Sequence, residues 1–445
     1  MCLDLIIRNG RFILPEKIVR GELAAENGQI QKIAVSGLPK GEREIDAKNR
    51  IIMPGVIDAH VHFYDEKFLN REDFTSGTSA AAVGGVTTVI IMPWDTPVIS
   101  RSSIEKLINE GQQSSIVDFA LHAGNMTAES VNKVPEINSL GIKSFKVFTC
   151  EPYRMTYDSI EKLMKSVKAV NGVTFVHAED DEILRNAVEK ILKKNRKDPL
   201  AHADSRPNEA EEKATKKITE LSERTGCRVH FAHITTRQGC DVIKKAKKRR
   251  IPVSAETCTH FLVFTRRDIS RLGPYLKVNP SLKTNRDRAA LWEALDGETI
   301  DIVTSDHAPS SKEEKEVGWK NIWDAPSGVP SVETLLPIML GEGVSKRKIT
   351  LERIANVLCT KPAQLFGIYP RKGVIQKGAD ADLVMLDLKK EVTISAERLH
   401  YKVGWTPYDG MKVRGTPTMT IVRGSIVAEE GEILGSPGYG QFLAR

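Results

Sequence analysis

Cysteine is scarce in this sequence, and long apolar runs are missing altogether. The six cysteines show neither the paired spacing of a zinc ribbon nor the density of a disulfide framework, so we expect reduced thiols and a cytoplasmic protein. No apolar run approaches the roughly 18 residues of a membrane helix, and no signal-like segment stands at the start. We therefore predict no association with a membrane. The cysteines are Cys2, Cys150, Cys227, Cys240, Cys258 and Cys359.

Nucleic-acid motifs, phosphate-binding glycine loops and repeats are also absent from the sequence. The formal net charge of +7 comes largely from basic clusters at residues 193–197 and 244–250. Both clusters lie in segments with helical spacing, where a solvated helix face is the ordinary explanation. Since no aromatic residues are interleaved with the basic ones, we predict no nucleic-acid partner.

The most informative feature of the sequence is a pair of histidines, His60 and His62, at the end of an apolar run that begins at Ile52. Side chains two residues apart on a strand point to the same side, so both imidazoles can bind one metal ion. At the end of a buried strand the pair would lie at the mouth of a sheet or barrel, where α/β enzymes carry their catalytic groups. We therefore predict a metal site there.

Four later segments combine a short buried strand with a possible metal ligand at or near its end. Between them lie segments in which apolar residues recur at helical spacing, such as residues 182–193 and 209–224. Alternating strands and helices predict a parallel α/β fold. A closed barrel explains the set better than an open sheet, because closure brings distant strand ends around one centre. The four segments are residues 144–148, 174–179, 229–233 and 301–307.

The chain is longer than a barrel requires, because a bare (β/α)8 barrel needs about 250 residues. Residues 5–13 and 420–427 share a strand-turn-strand pattern, and residues 378–386 add a strand after a turn rich in Gly and Asp. We therefore predict an α/β fold with two domains. A TIM-like (β/α)8 barrel would occupy residues 54–366, and both ends of the chain, residues 1–53 and 367–445, would form one small β-sandwich.

Six candidate ligands and the sequence around them give the chain a family resemblance. The segments Gly-Val-Ile-Asp-Ala-His-Val-His and Thr-Ser-Asp-His-Ala-Pro stand around the first and last ligands. The chain resembles the cyclic amidohydrolases of the amidohydrolase superfamily, which include hydantoinases with dihydropyrimidinases, allantoinases and dihydroorotases. The resemblance covers nearly the whole sequence and is nearest to the hydantoinases. The six residues are His60, His62, Lys146, His177, His233 and Asp306.

The resemblance implies a centre of two divalent metal ions, and zinc is the metal we expect. The histidine pair and Asp306 would hold one ion, His177 and His233 the other, and Lys146 would bridge both as an N6-carboxylysine. A protonated lysine has no lone pair to offer, so Lys146 can bind metal only as this carbamate. Two divalent ions lower the pKa of a shared water to about 7. Asp306 would take a proton from that water and deliver it to the leaving nitrogen.

The residues expected to contact the substrate do not match a single branch of the family. Dihydroorotases carry an arginine two residues after the histidine pair and an asparagine after a later Met-Pro, and both bind the substrate carboxylate. This sequence has Tyr64 and Trp94 there, so the natural bidentate partner of a carboxylate is missing, unless Arg71 or Arg154 replaces it. We therefore predict a small cyclic amide or imide as substrate, with a hydantoin or dihydropyrimidine-like ring. Dihydroorotate and allantoin are the alternatives.

Four residues are predicted to contact the substrate. Hydantoinases hold the ring with a tyrosine shortly after the modified lysine, and Tyr153 stands slightly farther along than that pattern expects. Asn279 lies in a segment that resembles dihydroorotases, and His260 in one that resembles a strand-end motif of the family near the substrate. The fourth is Tyr64, which follows the histidine pair.

A non-catalytic scaffold with the same fold is the alternative from another functional class. Proteins of that class usually lose metal ligands, whereas the complete set is present here. The resemblance also implies a homo-oligomer, either a dimer or a tetramer. Of the other histidines, we expect His122 in the interior, His307 in support of the Asp306 loop, and His202 at the surface.

Overall fold

The computed structural model describes residues 3–445, so Cys2 lies outside the described residues. The five cysteines within them are buried and free. No helix in this part of the chain has both the length and the apolarity needed to cross a bilayer. The strands are β1 (Leu5–Ile13), β2 (Ile18–Glu26), β3 (Gln29–Ala34), β4 (Arg43–Asp46), β5 (Ile51–Pro54), β6 (Val56–Val61), β7 (Val86–Ile91), β8 (Asp118–Leu121), β9 (Ser144–Phe148), β10 (Val173–His177), β11 (Arg228–Phe231), β12 (Val253–Cys258), β13 (Ile302–Thr304), β14 (Leu383–Thr393), β15 (Lys412–Val422), β16 (Ser425–Glu429) and β17 (Glu432–Ile433).

Most helices follow a barrel strand and lie outside it. They are α1 (Phe74–Val83), α2 (Arg101–Ser114), α3 (Val134–Ser139), α4 (Tyr157–Ala169), α5 (Asp181–Leu192), α6 (Pro199–Asp204), α7 (Asn208–Thr225), α8 (Arg237–Lys248), α9 (Thr259–Val263), α10 (Ile269–Leu272), α11 (Asn285–Asp296), α12 (Lys312–Lys320), α13 (Leu335–Ile338), α14 (Leu351–Ala355) and α15 (Lys361–Phe366). Short 3-10 helices span Glu66–Phe68, Ala128–Lys133, Gly273–Leu276, Ile322–Asp324, Val332–Thr334 and Ala396–Arg398, and π-helical turns span Met339–Lys346 and Asn356–Thr360.

Eight parallel strands, β6 to β13, form a closed barrel. One hydrogen-bonded run joins β6, β7 and β8, and a second joins β9 to β13 in sequence order. Two parallel bridges close the ring, Ala123 with Phe145 between the runs and Val61 with His307 between the last strand and the first. The backbone N–H of His62 also donates to the carbonyl of His307 over 2.8 Å. The predicted barrel is therefore confirmed.

The barrel strands are buried because both of their faces are covered. Every residue of β6, β7, β10 and β12 is buried, as expected for parallel strands between a filled interior and a layer of helices. The segment predicted as a strand at residues 144–148 has the same bounds in the structure. The predicted helices at residues 182–193 and 209–224 correspond to α5 and α7.

A second, mostly antiparallel sheet is built from both ends of the described chain, as predicted. Its strands run in the order β17-β16-β15-β14-β5-β1-β2-β3, with β4 beside β1. A separate cluster of buried apolar side chains, among them Leu5, Phe12 and Ile421, packs within this part of the molecule. The domain boundaries at residues 53/54 and 366/367 stay a prediction, which the ends of β5 at Pro54 and of α15 at Phe366 support.

Residues 5–13 form one bulged strand, although their sequence predicts two strands and a turn. β1 pairs with β2 on both sides of a register shift between Ile7 and Gly10. Asn9 adopts a φ of 54°, a left-handed conformation that asparagine tolerates better than most residues. The Asn-Gly pair therefore makes a bulge within the strand. The predicted hairpin at residues 420–427 does form, since β15 and β16 flank the dipeptide Arg423-Gly424.

Candidate metal centre

The six predicted metal ligands meet at the carboxyl ends of the barrel strands. These ends share one rim of a parallel barrel, where the chemistry of such folds is found. The structure therefore brings together residues that are up to 246 positions apart in the sequence. They are His60 and His62 at the end of β6, Lys146 in β9, His177 at the end of β10, His233 after β11 and Asp306 after β13.

Two of these residues lie in a strained backbone conformation. His233 has a φ of 32° and Asp306 a φ of 46°, both in the left-handed region that side chains other than glycine rarely adopt. Such conformations cost of order 1–3 kcal/mol and persist only where the surrounding structure fixes them, most often at functional sites. The strained backbone at His233 and Asp306 therefore supports a functional site at these two positions.

The histidine pair and Asp306 form a group that fits a divalent ion. Oδ1 of Asp306 lies 3.4 Å from Nε2 of His60 and 3.4 Å from Nε2 of His62. Two ligand atoms bound at about 2.1 Å to one tetrahedral ion are about 3.4 Å apart. Nδ1 of His60 lies 2.5 Å from a carboxylate oxygen of Glu256, so the proton of this ring belongs on Nδ1 and the lone pair on Nε2.

His177 and His233 form a second group of the same kind. Nδ1 of His177 lies 3.1 Å from Nε2 of His233, a separation suited to two ligands of one ion. Nε2 of His177 donates to Glu179 over 2.8 Å, which leaves the lone pair on Nδ1. Burial lowers the pKa of His177 and holds that of His233 well below its ordinary value. Both imidazoles are thereby kept in the neutral form that binds metal.

The carboxylates around the centre are held in the ionised form. Burial alone would raise the pKa of Asp306, but His60, His62 and His233 outweigh it and hold that pKa well below its ordinary value. At Glu256, His60 and His230 likewise outweigh the effect of burial on the pKa and lower it to about 2. An ionised carboxylate has only acceptor oxygens. It can therefore bind a metal ion or accept a hydrogen bond from an imidazole N–H.

Lys146 is buried between two aromatic rings and forms no ion pair with any described residue. Its Nζ lies 5.1 Å from the ring centre of Phe148 and 4.7 Å from that of Phe175. Burial lowers its pKa to about 8, against the opposing charges of Glu256 and Asp306. A buried ammonium without a partner is costly, so this amine is poorly suited to remain a simple cation.

A cavity of about 370 Å³ opens in front of the two groups. Tyr153 and Asn279, two of the four predicted substrate contacts, line it together with Trp94. The Tyr153 hydroxyl donates to Asp95 over 2.5 Å. Asn279 accepts, through its side-chain oxygen, from Nε2 of His202 and from Nε of Arg206, each over 2.9 Å.

The other two predicted contacts are not among the described residues that line the cavity. Tyr64 packs its ring on that of Phe74, with 5.8 Å between the ring centres. His260 is buried, and its ring nitrogens have no hydrogen-bond partner in the described part of the chain. One of them lies within 4.8 Å of ligand atoms of Cys258 and Asp306. Contact of Tyr64 and His260 with a substrate stays a prediction.

Glu256 and Glu179 contact the imidazoles of predicted ligands, and the sequence did not reveal these partnerships. Glu256 accepts from His60 and, over 3.2 Å, pairs with His230, so one carboxylate orients two imidazoles. The available signal was a charged residue in the otherwise apolar or small sequence of β12. Glu179 lies only two residues after His177, and it also pairs with Arg206 over 3.2 Å.

Three further histidines were assigned positions from the sequence, and one of these was wrong. His202 is buried instead of lying at the surface, and its Nε2 bonds to the side-chain oxygen of Asn279, which also accepts from Arg206. His122 lies in the interior, as expected, and Nε2 bonds to the carbonyl of Ala59 over 2.9 Å. His307 follows Asp306 and accepts through Nδ1 from the backbone N–H groups of Ser331 and Val332, which anchors the loop as expected.

Comparison with known proteins agrees with this geometry. The sequence profile described as "Amidohydrolase family" matches residues 51–427. The chain belongs to the amidohydrolase family. Members of this family generally bind a binuclear metal centre, and the described residues include candidate metal-binding groups such as His60 with His62 and Asp306.

The chain is similar over its full length to relatives with different names. An L-hydantoinase of Paenarthrobacter aurescens is 35% identical over 451 residues, which cover 99% of this chain and 98% of the relative. A dihydroorotase of Methanosarcina acetivorans is 34% identical, with 99% of this chain and 95% of the relative covered. The solved structure of the "L-Hydantoinase (Dihydropyrimidinase) from Arthrobacter aurescens" matches with a TM-score of 0.96 at 34% identity, covering 100% of both chains.

Proposed function

We propose that this amidohydrolase opens the C–N bond of a cyclic amide in a hydantoin or dihydropyrimidine-like ring. Two divalent ions, which we propose to be zinc, would be held by the two histidine groups, Asp306 and a carboxylated Lys146. The names of the hydantoinase relatives support this substrate class. A non-catalytic scaffold is not supported, because the ligand atoms of His60, His62 and Asp306 lie within 4.8 Å of one another.

The proposed substrate class rests on one observation: the guanidinium groups on the cavity wall already form ion pairs with carboxylates of the protein. Arg71 donates to both carboxylate oxygens of Glu314 over 2.7 to 3.1 Å. Arg206 is paired with Glu179. A carboxylate on the ring would have to compete with these carboxylates for its partner. Arg154 pairs with Asp181 and does not line the cavity among the described residues. An uncharged ring fits this wall better.

The site residues divide the work of hydrolysis. When bound, the two ions would polarise the ring carbonyl and lower the pKa of a water in the site. Asp306 carries the proton: its free carboxylate oxygen would accept it from the attacking water and give it to the ring nitrogen as the C–N bond breaks. Glu256 and Glu179 hold His60 and His177 in the required tautomers. Tyr153, which lines the same cavity, would orient the ring.

Carboxylation of Lys146 is part of the proposal. The neutral amine would add to carbon dioxide, forming an N–C bond and releasing one proton, and the product is an anionic carbamate with two oxygens. The burial of Lys146 without an ion pair supports this change, because an anionic carbamate able to bind metal would replace a buried unpaired ammonium. We also propose that the protein is a cytoplasmic homo-oligomer, either a dimer or a tetramer. Sedimentation analysis of the purified protein tests this assembly state.

A dihydroorotase is the second candidate. It is favoured by Asn279, which lines the cavity in a segment that resembles dihydroorotases, and by the name of the Methanosarcina relative. Allantoinase activity is the other alternative within the same family.

The test is hydrolysis of hydantoin, dihydrouracil, allantoin and dihydroorotate by the metal-loaded protein, followed by loss of ring absorbance. We expect turnover of the uncharged rings and none of dihydroorotate. Preferential turnover of dihydroorotate would mean that a cation on the wall is released for the carboxylate, and would replace the proposal with the second candidate.

A further inference from the structure

A further cluster of possible metal ligands lies beside Asp306, at the ends of two neighbouring barrel strands. Cys258 is the last residue of β12, which pairs with β13, and His260 follows it in α9. One ligand atom each of Cys258, His260 and Asp306 lie within 4.8 Å of one another. Thiolate, imidazole and carboxylate are the three kinds of ligand that zinc takes in proteins. The cluster shares Asp306 with the first histidine group but adds two side chains that neither histidine group contains.

His260 gives the strongest evidence that this cluster has a ligand. Its side chain is fully buried, and neither ring nitrogen has a hydrogen-bond partner among residues 3–445. A neutral imidazole carries one donor and one acceptor, and leaving both unsatisfied away from water is costly. A bound ion is one of the few explanations for such a group in a folded protein. An ion on one nitrogen of His260 would satisfy its lone pair.

The thiol of Cys258 is also available to an ion. The residue is fully buried, and its Sγ lies 3.5 Å from Oγ1 of Thr304, a long contact that leaves sulfur lone pairs free. Since two ligand atoms of one tetrahedral zinc ion are about 3.5 Å apart, the three side chains would draw together by at most about 1.3 Å. Small rotations about the side-chain bonds are enough for this change.

A second thiol near the metal centre is less well placed to bind an ion. Cys150 forms a similar cluster with His177 and Glu179. Both nitrogens of that imidazole are already used, because Nε2 of His177 donates to Glu179 and Nδ1 faces Nε2 of His233. The thiol of Cys150 therefore has no free imidazole beside it, whereas that of Cys258 has one. Cys150 thus provides a matched control for Cys258.

We propose that Cys258, His260 and Asp306 bind a third divalent ion, best suited to zinc, and that this ion inhibits the enzyme. As the bond between the ion and sulfur forms, the thiol would release its proton to water. An ion on Asp306 would withdraw that carboxylate from proton transfer, so ring opening should slow as the third site fills. The inhibitory role rests on the proposed function, because it depends on the proton that Asp306 is proposed to carry. The ion site itself does not depend on the substrate.

A cobalt titration tests the ion site without any substrate. The two proposed catalytic ions have only nitrogen and oxygen ligands, so a sulfur-to-cobalt charge-transfer absorption requires a thiol ligand. We expect chelator-stripped wild-type protein to develop this absorption as a third equivalent of Co²⁺ is added. Cys258→Ala should lack the absorption and Cys150→Ala should keep it. Its absence from wild type, or its retention in Cys258→Ala, would overturn the third site.

Inhibition by excess zinc tests the role of the ion, with each protein compared with its own activity at two equivalents of zinc. Excess zinc should inhibit the opening of hydantoin by wild type. In His260→Leu the zinc concentration that halves turnover should rise about tenfold or more, because even the partners of metal ligands change affinity 10- to 100-fold. Leucine leaves no buried ring nitrogen unsatisfied, so this variant is expected to fold. An unchanged half-inhibiting concentration would overturn the inhibitory role.

Together the two experiments separate this inference from the proposed function. A protein that opens no ring, but shows the cobalt absorption that depends on Cys258, would overturn the proposed function and with it the inhibitory role, while the ion site would stand. A protein that opens hydantoin, lacks the absorption and is not inhibited by excess zinc would keep the proposed function and overturn the third site.

Discussion

Lys146 is the proposed ligand whose role would depend on carboxylation, because its unmodified ammonium has no lone pair to offer a metal ion. Without the amine no carbamate can form, so Lys146→Ala should bind at most one ion per chain and lose turnover of every ring. Metal analysis of the purified variant beside wild type checks both effects. Lys143→Ala, three residues earlier and outside the site, is the control that should keep two ions. An active Lys146→Ala protein without added short carboxylic acids would contradict the carbamate.

We propose that Asp306 both binds metal and transfers a proton, and a single substitution separates these two proposed roles. Asparagine keeps an oxygen ligand at the same place but cannot carry the proton. Asp306→Asn should therefore retain most of its metal, while kcat falls by about 10² to 10⁴. Metal content and steady-state kinetics on one preparation distinguish this result from simple loss of the ion. Equal losses of metal and of turnover would show that Asp306 acts as a ligand only.

Glu256 acts through its neighbours, and its substitution should be visible in metal affinity. In Glu256→Gln the amide can no longer offer two anionic oxygens to His60 and His230, so metal affinity should fall about 10- to 100-fold. Chelator competition measures this affinity without any substrate. Glu182→Gln, at an exposed position on α5, should bind metal like wild type. Unaltered affinity in Glu256→Gln would mean that the fold alone orients His60.

At the scale of elements, the sequence predicted most of what depends on local periodicity. Residues 144–148 became β9 without a shift, and the helical spacing after residue 181 became α5. The first histidine pair was also recognisable locally, because strand periodicity places both rings on one side. The predicted bounds were less accurate for β13, which ends at Thr304. Asp306 follows this strand in a left-handed backbone conformation that no local sequence pattern predicts.

What could not be predicted depends on contacts between distant elements. Glu256 lies 196 residues from His60, so its partnership exists only after the barrel closes. His202 was expected at the surface because its neighbours are polar, yet Asn279 bonds to it from 77 positions away. The cavity in front of the metal ligands is likewise lined by residues from distant parts of the chain, among them Trp94, Tyr153 and Asn279, so a sequence pattern within one segment cannot show it.

At the scale of the whole molecule, a network of buried ion pairs connects the terminal sheet to the barrel. Lys372 is fully buried, and its Nζ pairs with Asp118 on β8 and with Asp382 before β14, each over 2.6 Å. Asp380 lies 2.9 Å from the same ammonium. Arg423, in the hairpin between β15 and β16, adds a second cation on Asp118. The two sheets therefore share a cluster in which every charge has an opposite neighbour.

Removing Lys372 should destabilise this junction much more than removing a surface lysine. Lys372→Met leaves three buried carboxylates with one cation fewer, and breaking a buried pair from one side costs about 3–5 kcal/mol. Urea unfolding followed by circular dichroism should show a lower midpoint for this variant. Lys390→Met, which removes an exposed ion pair with Glu430, should unfold like wild type. If both variants unfold at the wild-type midpoint, the carboxylates of the network are protonated or hydrated in the folded protein, and apolar packing alone joins the sheets.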